Sequence, residues 1–255
     1  MTPPDLVEVL PYSAIAPGYD LIMEHVSYEH WAVFTDKLLH DVHPNPHRIL
    51  ELGCGTGSFA VAIQPLRDYD YLGTDRSPEM IAQARRKAEA ARIPARFEVQ
   101  DFTRYAVERP FDASILLYDG LNYVLEPAGL DALFACTFAA LSPGGVFFFD
   151  QSTPTNSINN EAFFEDEGEA DDFTYVRGSH YDRASRLHTT TFEVRAGGQS
   201  YFEKHVQRAY TVAEVKAPVE RAGFEVVSAF DGFTTEAATD RSERIHWVIR
   251  RPTDR

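Results

Sequence analysis

The sequence predicts an α/β fold in which an open sheet presents a ligand at the carboxyl ends of its strands. Three observations carry that expectation. A glycine-rich turn, Gly53-Cys54-Gly55-Thr56-Gly57, joins the short apolar run Arg48–Leu52 to a helix beginning near Ser58. Strand-like runs then alternate with helical patterns as far as Asp150. Acids stand at the ends of three successive strand-like runs, Glu51, Asp75 and Asp101, and so share one sheet edge, where open α/β sheets bind ligands.

Residues 1–11, with Pro3, Pro4 and Pro11, read as an arm. The segment from Tyr12 through Tyr19-Asp20 leads into a helical pattern in which Trp31, Phe34 and Leu38 fall at i, i+3 and i+7. His40, His43 and His47 crowd into one loop, but Pro44 and Pro46 break any regular face, and the loop reads as solvated rather than metal-binding.

In the turn after the first strand, glycines permit positive φ and let the backbone touch a ligand, and the following helix offers unpaired N–H groups. The dinucleotide pattern G-x-G-x-x-G needs a sixth-position glycine, and counted from Gly53 that position is Ser58; a P-loop pattern is also absent. The second strand, Tyr69–Thr74, ends on Asp75. Ser77 and Pro78 then open a helix as N-cap and first residue, with Met80, Ile81, Ala84 and Ala88 on its apolar stripe. Asp75 lies 22 residues beyond Gly53, where a carboxylate meets ribose hydroxyls. The third strand, Arg96–Gln100, precedes Asp101 and Phe102. The fourth, Phe111–Leu117, runs into Tyr118-Asp119-Gly120-Leu121-Asn122-Tyr123. A helix over about 128–141 and the turn Leu141–Gly145 lead to the fifth strand, Val146–Asp150.

A formal charge of −15 and the lack of a basic cluster argue against a nucleic-acid partner. Cys54 and Cys136 have no disulfide or zinc spacing. With no run long enough to span a membrane and no signal-peptide pattern, the chain reads as cytoplasmic.

The string Glu51-x-Gly53-x-Gly55-x-Gly57 resembles the first motif of the class I S-adenosylmethionine-dependent methyltransferases, and the order of motifs over residues 12–150 is similar to theirs. The resemblance implies a Rossmann-like seven-stranded sheet of order 3-2-1-4-5-7-6, with S-adenosylmethionine as cofactor and no metal. It assigns cofactor contacts to Glu51, Gly53, Cys54, Gly55, Gly57, Asp75, Arg76, Met80, Asp101, Phe102, Tyr118 and Trp31. Asp119, Asn122 and Tyr19 are the catalytic candidates, with Tyr123 beside them on the acceptor side. Tyr19 and Trp31 serve either as core or as cover for the cofactor; Tyr28 reads as core.

Residues 1–47 are expected to form a helical cap, 48–150 and 210–255 the cofactor-binding core, and 151–209 an antiparallel β insertion. Seven acids over 161–172, around Phe163 and Phe164, read as a solvated loop or as a funnel for a cationic acceptor. Strand-like runs follow at 173–180, 186–195 and 199–209, the last two joined by Gly197-Gly198. Such an insertion resembles the branch containing glycine N-methyltransferase and the amino-sugar N,N-dimethyltransferases, where it covers the acceptor and often joins subunits. His180, His188 and His205 lie on these strands, as ordinary sheet residues or as a base. A helix near 213–222 and strands 225–230 and 244–250 close the chain. The expected activity is methyl transfer to a small molecule, possibly an amine, in a possible homodimer, without nucleic acid or membrane. A tRNA or protein methyltransferase and a non-catalytic cofactor-binding module remain alternatives.

Overall fold

The computed structural model describes residues 6–161 and 165–253. In chain order the strands are β1 (Val7–Val9), β2 (Arg48–Leu52), β3 (Asp70–Asp75), β4 (Arg96–Val99), β5 (Phe111–Leu116), β6 (Leu141–Ser152), β7 (Glu165–Ala170), β8 (Phe173–Asp182), β9 (Leu187–Ala196), β10 (Gln199–Arg208), β11 (Glu225–Asp231) and β12 (Arg244–Arg250). The helices are α1 (Tyr19–Ile22), α2 (Tyr28–Val42), α3 (Ser58–Ile63), α4 (Pro78–Ala91), α5 (Pro127–Ala140), α6 (Pro154–Asn159) and α7 (Val212–Arg221).

Seven strands form the central sheet in the order β11-β12-β6-β5-β2-β3-β4. Strands β2 to β6 run parallel, and β12 lies antiparallel to both β6 and β11. Numbered along the chain this is 3-2-1-4-5-7-6, the order the resemblance implied. Side-chain alternation builds a core on each face. Phe147 and Phe149 point with Trp247 toward α5 and α7, while Phe148 and Val248 join the layer under α2, α3 and α4. The ends of α4 follow their sequence signals: the Ser77 hydroxyl accepts from the Met80 amide, and Pro78 opens the first turn.

A second sheet, β1-β10-β9-β8-β7, packs over the carboxyl edge of the first. Ile15, Ala16, Ile22 and Met23 from the N-terminal segment fill the junction with Met80 of α4 and with Phe173, Phe192 and Val194.

Three local expectations are corrected. Residues 7–9, read as part of an arm, pair in parallel with β10, which offers them an open edge. Within the acidic run, residues 165–170 form edge strand β7, not a loop. The two-residue period sends Glu165, Glu167 and Glu169 to solvent and turns Asp166 inward to Arg177, 3.1 Å away, a charge placement that an edge strand accommodates. Phe163 and Phe164 lie outside the described residues. Finally, β6 starts directly at Leu141, which pairs with Phe111; residues 142–145 bulge before Val146 resumes pairing with Ala113. Gly144, at φ 82°, turns this bulge, and its amide donates to the Arg251 carbonyl at 2.9 Å. Among the described residues no helix is long and apolar enough to cross a membrane.

Candidate active site

A cavity of about 430 Å³ opens at the carboxyl ends of β2, β3 and β5, beneath the N-terminal segment. That size suits a small organic ligand. Its floor is the turn after β2. Gly55 (φ 53°) turns its open side to the cavity: a Cβ there would meet only the Tyr19 ring, at 3.7 Å. Gly57 (φ 76°) serves packing instead, since a Cβ would press to 3.1 Å from that of Ala84. Of the predicted cofactor contacts, Glu51, Gly53, Cys54, Gly55, Asp75 and Arg76 line the cavity. Asp101, Phe102, Tyr118 and Trp31 line it as well.

The three acids differ in state. Asp75 accepts the Gly55 amide at 2.9 Å on one oxygen and the Ser77 amide at 2.8 Å on the other, so it ties two ligand-facing turns together. Burial lifts its carboxyl above the ordinary value, and these amides oppose the rise. Burial would also raise Asp101, but the Thr103 hydroxyl and amide outweigh it and hold the carboxylate below the usual range. Glu51, only 4% exposed, is pushed by burial up to about 8, against the hydrogen bond it accepts from Tyr71 at 2.5 Å. It is therefore a neutral acid at pH 7 in the ligand-free protein.

Tyr19 reaches the cavity because its neighbour is anchored. Asp20 accepts from Thr56 of the glycine turn at 2.7 Å and pairs with Lys87 of α4 at 2.6 Å. Tyr28 packs against the core, as read, and also lines the cavity, and Tyr12 and Tyr123 complete a group of five tyrosines with Tyr19 and Tyr118. Burial raises every one of these phenols, Tyr118 to about 12, so all are neutral at physiological pH. Burial likewise keeps the Cys54 thiol protonated.

Four predicted site residues lie away from the cavity wall. Met80 is buried in the junction under the second sheet. Gly57 packs against α4, as above. Asn122 is 2% exposed and spent on backbone: its amide donates to the carbonyls of Ser152 and Arg208, each at 2.8 Å, and its oxygen accepts the Ser152 amide at 3.0 Å. Those three bonds pin the turn after β5 to the ends of β6 and β10. Asp119 turns to Arg244, 2.8 Å away, which also pairs with the fully buried Asp150. Asp150 rises through burial to about 6, with Arg244 resisting the shift. Tyr118 (φ 58°) and Asp119 (φ 65°) are both left-handed, an uncommon strain for consecutive residues with side chains, in the turn that brings Tyr118 to the cavity.

Sequence reasoning missed Glu203 and gave His205 no definite role. They stand two apart on β10, and that spacing on a strand places both on one face, against Tyr12 and Tyr123. Among the described residues no three His, Cys, Asp or Glu side chains are grouped to hold a metal ion. In the histidine-rich segment, Nδ1 of His40, on α2, donates to the Asp36 carbonyl, 2.9 Å away.

A methyltransferase-domain family profile matches residues 49–145, the stretch from β2 into β6 of the central sheet. A protein of Geobacillus sp. (strain WCH70) named as a methyltransferase is 31% identical over 249 residues, covering 94% of this chain and 99% of its own. The chain belongs to the class I S-adenosylmethionine-dependent methyltransferases. The fold agrees. An S-adenosylmethionine-dependent methyltransferase from Clostridium acetobutylicum ATCC 824 superimposes with a TM-score of 0.77 at 22% identity, covering 94% of this chain and 99% of that one. CalS10 from Micromonospora echinaspora, an amino pentose methyltransferase with S-adenosylmethionine bound, gives 0.70 at 22% identity, over 91% and 96%. This methyltransferase takes S-adenosylmethionine as methyl donor. The cavity suits that group: glycine backbone forms its floor, carboxylates stand at its walls, and the rings of Trp31 and Phe102 supply apolar cover.

Proposed function

We propose that this enzyme methylates an amine nitrogen of a small molecule. The observation that carries the reading is the group of five neutral tyrosines lining the cavity. Their ring faces attract a cation, and their oxygens accept hydrogen bonds from an amine without adding a charge. A net charge of −15 also favours a cationic acceptor over a polyanion. Sharing a fold with an amino pentose methyltransferase is in keeping with this.

S-adenosylmethionine, when bound, supplies a methyl carbon made electrophilic by positively charged sulfur, and transfer is an in-line displacement. The protein's task is alignment and exclusion of water. Asp75 and the glycine turn would hold the ribose and the amino-acid portion, with Asp101 and Phe102 at the base and Glu51 beside the floor. Tyr19, Tyr118 and Tyr123 would orient the acceptor. Asp119 and Asn122 shape the turn carrying Tyr118 and Tyr123, and this positional role replaces direct contact.

The first test is calorimetric titration with S-adenosylhomocysteine and with NAD, on wild type and Asp75→Ala. Binding of the first ligand alone, weakened at least tenfold by the substitution, is the expected result. Labelled-methyl transfer to a panel of amines and alcohols then decides the acceptor; product from alcohols and none from amines overturns the amine reading.

A further inference from the structure

A line of hydrogen bonds leads from the cavity into the interior of the second sheet. The Tyr12 hydroxyl donates to that of Tyr123 at 2.5 Å, the Tyr123 oxygen lies 2.9 Å from Nδ1 of His205, and Nε2 of His205 lies 3.0 Å from Glu203 Oε2. Tyr12 and Tyr123 line the cavity; His205 and Glu203 are 3% and 0% exposed.

Counting donors fixes the protons. Glu203 accepts the backbone amides of Tyr12 (2.8 Å), Ala14 and Ile15 (3.0 Å). These three N–H groups orient lone pairs of both Glu203 oxygens as acceptors, which assigns the hydrogen of the Oε2–Nε2 contact to the ring. The His205 nitrogen facing it therefore carries hydrogen. In the neutral ring Nδ1 is then bare and takes the Tyr123 hydroxyl hydrogen, leaving the Tyr123 oxygen to accept from Tyr12. Lone pairs of the Tyr12 oxygen remain for a ligand in the cavity.

We propose that Tyr12, Tyr123, His205 and Glu203 form a relay that removes the proton from the methylated acceptor nitrogen. The proposal rests on the amine reading above. A newly methylated amine carries a positive charge and a proton to be lost. Its N–H bond breaks as an O–H bond forms on Tyr12; the Tyr12 proton moves to the Tyr123 oxygen, and the Tyr123 proton bonds to Nδ1 of His205. Both phenols end neutral, as they began. The charge rests on an imidazolium paired with Glu203, and the proton returns to water when product leaves. Besides Glu203 on its own strand, the titratable groups against His205 are Tyr123 and Tyr12, from the turn after β5 and the N-terminal segment. Strand β9 presents the Phe192 ring and Thr190. His205 and Glu203 act through the tyrosines and are positioning residues.

The test uses full-length wild type, His205→Gln and Tyr123→Phe. In histidine-15N-labelled protein bound to S-adenosylhomocysteine, with the His205 signals assigned by their loss in His205→Gln, a protonated Nε2 and a bare Nδ1 at pH 8 are expected. Hydrogen on Nδ1 at that pH overturns the relay. Methyl transfer is then followed with ethanolamine, putrescine and glucosamine as probes. His205→Gln is expected to lower kcat about 100-fold, keep S-adenosylhomocysteine affinity and amine KM within about threefold, and abolish the acid limb of the kcat profile; Tyr123→Phe should likewise lower kcat and lose the acid limb. If the variants methylate these amines as fast as wild type, or lose affinity and rate together with the acid limb intact, the relay is wrong and the amine reading stands. If wild type methylates none of them while binding S-adenosylhomocysteine, the amine reading falls and takes the relay with it.

Discussion

Replacing Glu51 by glutamine should make the ligand-free protein more stable, by an amount that grows with pH. The carboxyl is buried at the end of β2, and its pKa is raised from the ordinary 4.5 to about 8 by that burial. Above pH 4.5 the unfolded chain releases this proton, while the folded protein keeps it until about pH 8. Stability contributed by the neutral acid is therefore complete below 4.5 and drains away as pH rises through 8. At 1.36 kcal/mol per pKa unit, wild type loses about 3 kcal/mol by pH 7 and about 5 kcal/mol by pH 9 through this group. Glutamine cannot titrate, and its carbonyl oxygen can still accept the Tyr71 hydroxyl. Urea unfolding of both proteins at pH 5, 7 and 9 reads the difference, in which all other titrations cancel. Ligand must be absent, because a bound cation beside Glu51 would lower its pKa. A stability gap that stays constant from pH 5 to 9 would refute the claim that Glu51 is a neutral buried acid.

Two further predictions concern packing. Asn122→Ala should cost about 3–5 kcal/mol in urea unfolding, since it leaves two buried carbonyls and one amide unpaired, with S-adenosylhomocysteine affinity unchanged within about threefold; loss of affinity at full stability would return Asn122 to the ligand site. Gly18→Ala puts a Cβ where the Phe173 ring stands, 2.1 Å from its nearest carbon, and should cost about 1–3 kcal/mol while weakening S-adenosylhomocysteine binding through the neighbouring Tyr19. Unchanged thermal stability would show that the junction between the N-terminal segment and the second sheet yields freely.

The central sheet was legible from local signals. Apolar runs of strand length, Ser77-Pro78 at a helix start and glycines in the turn after β2 each act within a few residues, and the family resemblance those motifs carry implied the strand order. Asp75 and Asp101 reach the cavity for the same reason: a residue at or just beyond a strand's end lies at the carboxyl edge whatever else the chain does. The acidic run failed because a charge pattern states only a preference for water. Pairing with β8 satisfies that preference on alternate residues while using the backbone that the charges say nothing about.

Asp119 and Asn122 mark the limit of the motif-based reading. The turn was rightly placed at the cavity, but which of its side chains enter it depends on two left-handed residues and on partners 30 to 125 positions distant, Ser152, Arg208 and Arg244. By itself, then, the sequence determined the parallel sheet, its ligand-bearing edge and the family, because those are written in residues adjacent along the chain. Only the tertiary structure decided that Glu51 is a neutral acid, that five tyrosines share one cavity, and that Glu203 and His205 stand behind two of them. Burial, and the proton states it imposes, arise when distant segments exclude water together, and no local pattern records that.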